Sequence, residues 1–132
     1  MLEVYIDAAT AGSPKVSAVG VFIRGEGHLI KWNDFVGEMD NHVAEFTALV
    51  NGLELAAELT TDMVSLKSDS KVVVDAFEKE FIKNAQYKPL LDEALRLSKT
   101  FSYCFIKWIP DSQNRAAHDL AGTALRANKN IL

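Results

Sequence analysis

Three carboxylates stand at positions where a sheet protein gathers ligands. Asp7 follows the apolar run Val4-Tyr5-Ile6, and Asp69 follows the run from Val64 to Lys67. In α/β sheets, ligand sites collect at strand ends, where loops and helix N-termini converge. Two such aspartates share a cleft if their strands are neighbours, although each taken singly reads as an ordinary turn or cap residue. Glu45 lies in Asn41-His42-Val43-Ala44-Glu45-Phe46, where small Ala44 and apolar Phe46 imply partial burial. A partly buried carboxylate needs a partner, and a divalent cation, which prefers oxygen ligands, is a natural one.

The elements that must position these groups follow from pattern and punctuation. Leu2 to Ile6 reads as a strand ending on Asp7, and residues 8–17, with Gly12, Ser13 and Pro14, read as loop. Val19 to Arg24 and Leu29 to Val36 form a hairpin around Gly25-Glu26-Gly27. Asn41 is a helix N-cap by type, and the helix runs to Leu59 with Phe46, Leu49, Val50, Leu53 and Ala57 as its buried stripe. A short strand, Val64 to Lys67, leads through Ser68-Asp69-Ser70 into a helix from Lys71 to Phe77 that Ser70 caps. After a break at residues 84–87, Pro89 opens a helix to about Leu97. Tyr103 to Ile109 is the last strand, and Pro110 to Ser112 a turn. A C-terminal helix follows, with Ala117, Leu120, Ala121, Ala124 and Leu125 on one face. The order β-β-β-α-β-α-α-β-α predicts a mixed α/β sheet, three antiparallel strands and then parallel ones, with helices on both faces.

The chain has 132 residues, 48% of them hydrophobic, enough for one packed core. We expect a single domain over residues 1–127 and a short tail at 128–132. The one cysteine, Cys104, lies in the apolar run Tyr103-Cys104-Phe105-Ile106 and reads as a buried small hydrophobe. The absence of disulfide chemistry, of an N-terminal signal and of a membrane-length apolar run leads us to expect a cytoplasmic protein. The formal net charge is −4. That runs against the basic footprint usual for nucleic-acid binders, though clustered metal-binding carboxylates inflate the acidic count. His28 and His42 lack companions at metal-ligand spacing. Trp32 and Trp108 read as core, and Gly25-x-Gly27 as a turn rather than a phosphate loop.

Four blocks carry a wider resemblance. They are Val4-Tyr5-Ile6-Asp7 with Ala11-Gly12-Ser13-Pro14; Asn41 to Leu49; Ser68-Asp69-Ser70; and Trp108-Ile109-Pro110 with Asn114-Arg115-Ala116-Ala117-His118-Asp119-Leu120-Ala121. In this order and spacing they resemble ribonuclease HI, in particular short bacterial ribonuclease HI-like proteins, over Val4 to Leu125. The resemblance implies a ribonuclease H-like fold with a five-stranded mixed sheet. It also implies endonucleolytic hydrolysis of the RNA strand of RNA–DNA hybrids, leaving 5′-phosphate and 3′-hydroxyl ends. Two divalent ions, Mg²⁺ or Mn²⁺, would assist. Asp7 maps to the ligand bridging both ions, and Glu45 and Asp69 to the leaving-group side. Thr10, Gly12, Ser13 and Asn41 map to groups that read the RNA 2′-hydroxyls. Lys71, with Lys83 and Lys88, is a candidate for phosphate contact.

This sequence departs from the family pattern at the fourth carboxylate. That position holds His118 when the helix is aligned on Asn114, Ala117, Leu120 and Ala121, with Asp119 as the alternative occupant. Imidazole suits Mn²⁺ or Zn²⁺ better than Mg²⁺, so the resemblance implies weakened or manganese-preferring activity. Ala8 and Lys15 replace loop glycines, Asp111 stands where relatives often carry arginine, and the stretch between Phe77 and Pro89 is too short for the extra basic helix of some relatives. A second reading is therefore a catalytically weak or inactive hybrid- or RNA-binding domain. A third is another nuclease of the same fold, such as an exonuclease. The partner expected is an RNA–DNA hybrid, with no membrane, no protein partner and a monomeric chain.

Overall fold

The computed structural model describes residues 1–128. Three long strands come first: β1 (Leu2–Ala11), β2 (Val16–Gly25) and β3 (His28–Glu38). They are followed by α1 (Asn41–Leu59), β4 (Met63–Ser68), α2 (Lys71–Lys79), α3 (Lys88–Ser98), β5 (Tyr103–Trp108), a 3-10 turn at Asp111–Gln113 and α4 (Arg115–Asn128). The sheet order is β3-β2-β1-β4-β5. β1, β2 and β3 pair antiparallel, whereas β4 pairs parallel with β1 and β5 parallel with β4. The element order is the one the sequence predicts, and so is the mixed sheet.

Two boundaries differ for identifiable reasons. β1 does not stop at Asp7: Ala8 to Ala11 continue the ladder opposite Val19 to Val16, so the expected loop shrinks to residues 12–15. Small alanines have little strand preference of their own, but β-branched cross-strand partners supply it. The N-cap of α1 is Asp40 rather than Asn41. Asp40 Oδ1 accepts from the Val43 amide at 2.8 Å, which leaves the Asn41 side chain available to its neighbours. At the hairpin tip Glu26 and Gly27 both have positive φ, 52° and 81°, the conformation a two-residue turn needs to match strand twist. Of the expected tail, Asn128 ends α4, and residues 129–132 lie outside the described residues.

The core lies between the sheet and α1. Leu2, Val4 and Ile6 of β1, Val19, Val21 and Ile23 of β2, and Val64 and Leu66 of β4 meet Phe46, Leu49 and Leu53 of α1, all fully or almost fully buried. α2 and α3 extend this layer toward β5, burying Val73, Phe77, Leu91 and Ala94. α4 lies on the opposite face, over β1, β2 and β3. Its approach depends on Gly20, where an added Cβ would collide with the Ala117 carbonyl and the Ala121 amide. Gly20 pairs with Asp7 across the ladder, so the same contact sets how closely α4 passes over Asp7.

Gly20→Ala forces backbone against backbone, and no flexible side-chain end is present to yield. We predict that it destabilises the fold by about 2–3 kcal/mol, read as a lower urea midpoint with an unchanged m-value. An unchanged midpoint would mean that α4 does not rest on this glycine.

Candidate active site

Asp7, Glu45 and Asp69 reach one narrow cleft, lined also by Ile6, Ala48 and Ser68. The parallel register that sets Tyr5 beside Lys67 carries both strands toward the same end, where Asp7 and Asp69 sit two residues further on. α1 begins at that end and contributes Glu45 from its first turns. Asp7 is 8% exposed, while Glu45 and Asp69 are half-buried.

Each carboxylate is supported by identifiable neighbours. His118 of α4 sets Nδ1 3.1 Å from Asp7 Oδ2, and His42 sets Nδ1 2.9 Å from Glu45 Oε1. Asn114, at the foot of α4 and almost fully buried, donates from Nδ2 to the Ile6 carbonyl at 2.8 Å and so ties the helix to the residue before Asp7. The Asp69 junction is fixed from two sides. Ser68 Oγ accepts from the Ser70 amide at 3.0 Å, Ser70 caps α2 through the Val73 amide, and the Trp108 indole donates from Nε1 to the Asp69 carbonyl at 3.0 Å.

Burial dominates the electrostatics. The Asp7 carboxyl is pushed up to about 6, first by desolvation and then by the negative charge of Asp69, against the opposing pull of the Ala8 amide and His118. Burial also raises Glu45, with His42 opposing, and raises Asp69, with Asn114 opposing and Asp111 adding repulsion. Three crowded carboxylates that all resist ionisation are groups a nearby cation would stabilise.

Oxygen donors of this kind suit a hard divalent ion. The Asn114 Oδ1 atom, buried at the edge of the cluster, also has no protein partner. Among the described residues, however, no three His, Cys, Asp or Glu side chains converge closely enough to hold one ion as they stand. Asp7 is turned to His118 and Glu45 to His42, so shared coordination requires these side chains to rotate within the cleft. The donor chemistry fits a metal site.

The remaining expected residues fall on both sides of this centre. Thr10 Oγ1 bonds Ser17 Oγ at 2.7 Å and approaches Asn41 Oδ1 at 3.5 Å, which joins Thr10 and Asn41 on one rim. Asn41 Nδ2 in turn reaches Glu45 Oε1 at 3.5 Å. Gly12 and Ser13 are exposed in the β1–β2 connection. Lys71 lies over the Trp108 ring, 5.2 Å from its centroid, on the Asp69 side. His118 is the residue that meets Asp7. Asp119 is directed away, toward a separate cavity with Phe22 and Lys31.

Two residues set aside by sequence reasoning are engaged here. Trp108 is 40% exposed rather than core, and His42 holds Glu45. The i, i+3 spacing of His42 and Glu45 on a helix was the available signal. Burial pushes the Cys104 thiol up to about 12, which fits its inert reading.

An αβ sheet of this order, with acidic groups gathered where β4 ends beside β1, is the ribonuclease H-like fold. Similarity to known proteins agrees. The chain belongs to the reverse transcriptase-like family, which matches residues 6–124. It is 41% identical to the EbsB protein of Enterococcus faecalis over 128 residues, 96% of this chain and 95% of that one. It is 31% identical to ribonuclease HI of Halobacterium salinarum over 127 residues, 94% of this chain but 64% of that protein. Among solved structures, the RNase H1 of Halobacterium salinarum superposes with a TM-score of 0.87 at 29% identity, covering 96% of this chain and 98% of that one. LC11-RNase H1, solved in complex with an RNA/DNA hybrid, gives 0.85 at 23% identity over 96% of this chain and 98% of its own, a likeness of fold.

Desolvation of Asp7 has a stability consequence. The folded-state value lies above the ordinary 3.8, so folding favours the protonated form. The ionised group therefore costs stability above about pH 6, and that cost fades as pH falls toward 4. We predict that Asp7→Asn, in EDTA at about pH 8, stabilises the protein by about 1–3 kcal/mol, with the gain vanishing near pH 4. Thermal melts of both proteins across pH test this, and equal melting temperatures at pH 8 would contradict it.

Proposed function

We propose that this chain is a divalent-metal-dependent ribonuclease H that cleaves the RNA strand of RNA–DNA hybrids endonucleolytically. The observation that carries the reading is the convergence of Asp7, Glu45 and Asp69 on one cleft beside the end of β4. Support comes also from the likeness to a Halobacterium protein named ribonuclease HI, and from the shared fold of an RNase H1 solved with a hybrid.

Asp7, Glu45 and Asp69 would hold the divalent ions, Asp7 as the central ligand, with His118 at the fourth position. When bound, the ions would activate a water and stabilise the leaving oxygen. The chain's own residues hold and orient. Asn114 and the α4 contact fix the backbone before Asp7, and Trp108 fixes the Asp69 carbonyl. Thr10, Gly12, Ser13 and Asn41 form the rim that meets RNA 2′-hydroxyls, which act as both donors and acceptors. Lys71 offers a charge to a phosphate beside Asp69. Burial of Asp7 excludes bulk water from its carboxylate. His118 contributes nitrogen in place of oxygen, which favours Mn²⁺ over Mg²⁺.

The His118–Asp7 hydrogen bond also favours a second reading, a hybrid-binding domain with little or no catalysis. An imidazole bonded to Asp7 would compete with a cation for its carboxylate. A labelled hybrid incubated with Mg²⁺ or Mn²⁺, with Asp7→Asn as control, separates the two. We expect cleavage above the control with Mn²⁺, and a gain of about tenfold or more in Mg²⁺ activity for His118→Asp. Hybrid binding without cleavage in either metal would replace the enzyme with the binding domain.

A further inference from the structure

α4 covers only part of its side of the sheet. It packs on β1, β2 and β3, while α1, α2 and α3 all lie on the other face. The register therefore leaves an open surface on the α4 side. Lys67 of β4 shares that face with Tyr5 of β1 and Lys107 of β5, and Ser65 shares it with Phe105. On β2 the corresponding positions are Phe22 and Arg24, paired with Tyr5 and Glu3. Tyr5, Phe22 and Phe105 belong to neither hydrophobic cluster, and none of them is fully buried.

The surface combines rings with cations. Tyr5 and Phe22 lie 5.9 Å apart, and Tyr103 and Phe105 5.4 Å apart. Arg24 and Lys67 stand over the Tyr5 ring at 5.3 and 5.0 Å, and both are paired with Glu3. A cavity of about 360 Å³ opens between Tyr5, Phe22, Arg24 and Arg115 at the start of α4. Lys31 and Lys107 flank the strip, both exposed. Five cations thus share one face of a chain whose net charge is −4; the acids near them include Glu3, bonded to Arg24 and Lys67, Asp119 at the α4 rim, and Asp7 and Asp69 at the active-site end.

Cations segregated onto an acidic protein match a polyanion. Half-exposed rings among them match unpaired bases, because a base inside a duplex offers no free face for stacking. The strip is also continuous with the carboxylates: Tyr5 and Asp7 lie on the same face of β1, two residues apart. We infer that this open sheet face binds single-stranded nucleic acid, with the cations on its phosphates and the rings against its bases, as a surface separate from the hybrid-reading rim of Thr10 and Asn41.

The test is fluorescence anisotropy in EDTA with labelled oligouridylate and oligothymidylate of about 15 nucleotides. Wild-type protein binds, and binding weakens as salt rises. Lys107→Glu with Arg115→Glu weakens binding about tenfold or more and lowers the salt slope by roughly 0.7 per cation removed. Phe105→Ala weakens binding with the salt slope unchanged, and Lys79→Glu on α2 leaves it as in wild type. Circular dichroism reports that each variant is folded. Wild-type-like binding by the double variant overturns the inference. So does failure of the wild type to bind either strand, including the case in which it binds polyglutamate instead. Strand binding that responds as expected without hybrid cleavage would sink the proposed function alone. Hybrid cleavage with unresponsive strand binding would sink this inference alone.

Discussion

The close passage of α4 over Gly20 is the contact on which the site depends. A helix backbone can settle this near a sheet only where a strand residue lacks a side chain, and Gly20 provides that gap directly across the ladder from Asp7. From this seat α4 delivers Asn114 to the Ile6 carbonyl and His118 to Asp7. The site is therefore assembled from the first strand and the last helix, 108 residues apart at the Asn114–Ile6 bond. Covalent neighbours contribute little to it, and packing contributes most.

Assembling the site in this way sets three carboxylates against burial. Asp7 is the most enclosed, and its proton affinity rises accordingly. Natural proteins accept such local cost at functional centres. Among the described residues, the ring nitrogens bonded to the trio belong to His42 at Glu45 and His118 at Asp7. A histidine is a weaker and more conditional counter-charge than a metal ion, so the crowding of Asp7, Glu45 and Asp69 is best relieved by cations. The same histidines hold two of the carboxylates by hydrogen bonds.

Much of this was legible in the sequence, because the informative signals were local. Alternating apolar runs marked the strands, and the breaker-free stretch from residue 41 marked α1, with Glu45 at its start. The chain pattern placed Asp69 at a strand end, as found, and Asp7 at another, where β1 instead runs on to Ala11; the resemblance joined the two. What escaped was decided by partners distant in sequence. Ala8 to Ala11 looked like loop because their strand character comes from Val16 to Val19 across the ladder. Trp108 looked like core because an aromatic at the end of an apolar strand does not reveal that its indole bonds Asp69. Asn41 looked like a cap because Asp40, one residue earlier, is an equally good one. The open cationic face follows from the register of strands β1, β2, β4 and β5, which no single segment encodes.

We propose that Asp7, Glu45 and Asp69 form a divalent-cation site. Crystals soaked in Mn²⁺ and measured at the manganese absorption edge test it most directly. Anomalous density bonded to Asp7 is expected, with Glu45 and Asp69 turned onto it and the Asp7–His118 hydrogen bond broken. Saturating Mn²⁺ with no such density at Asp7, and both histidine–carboxylate pairs intact, would contradict it.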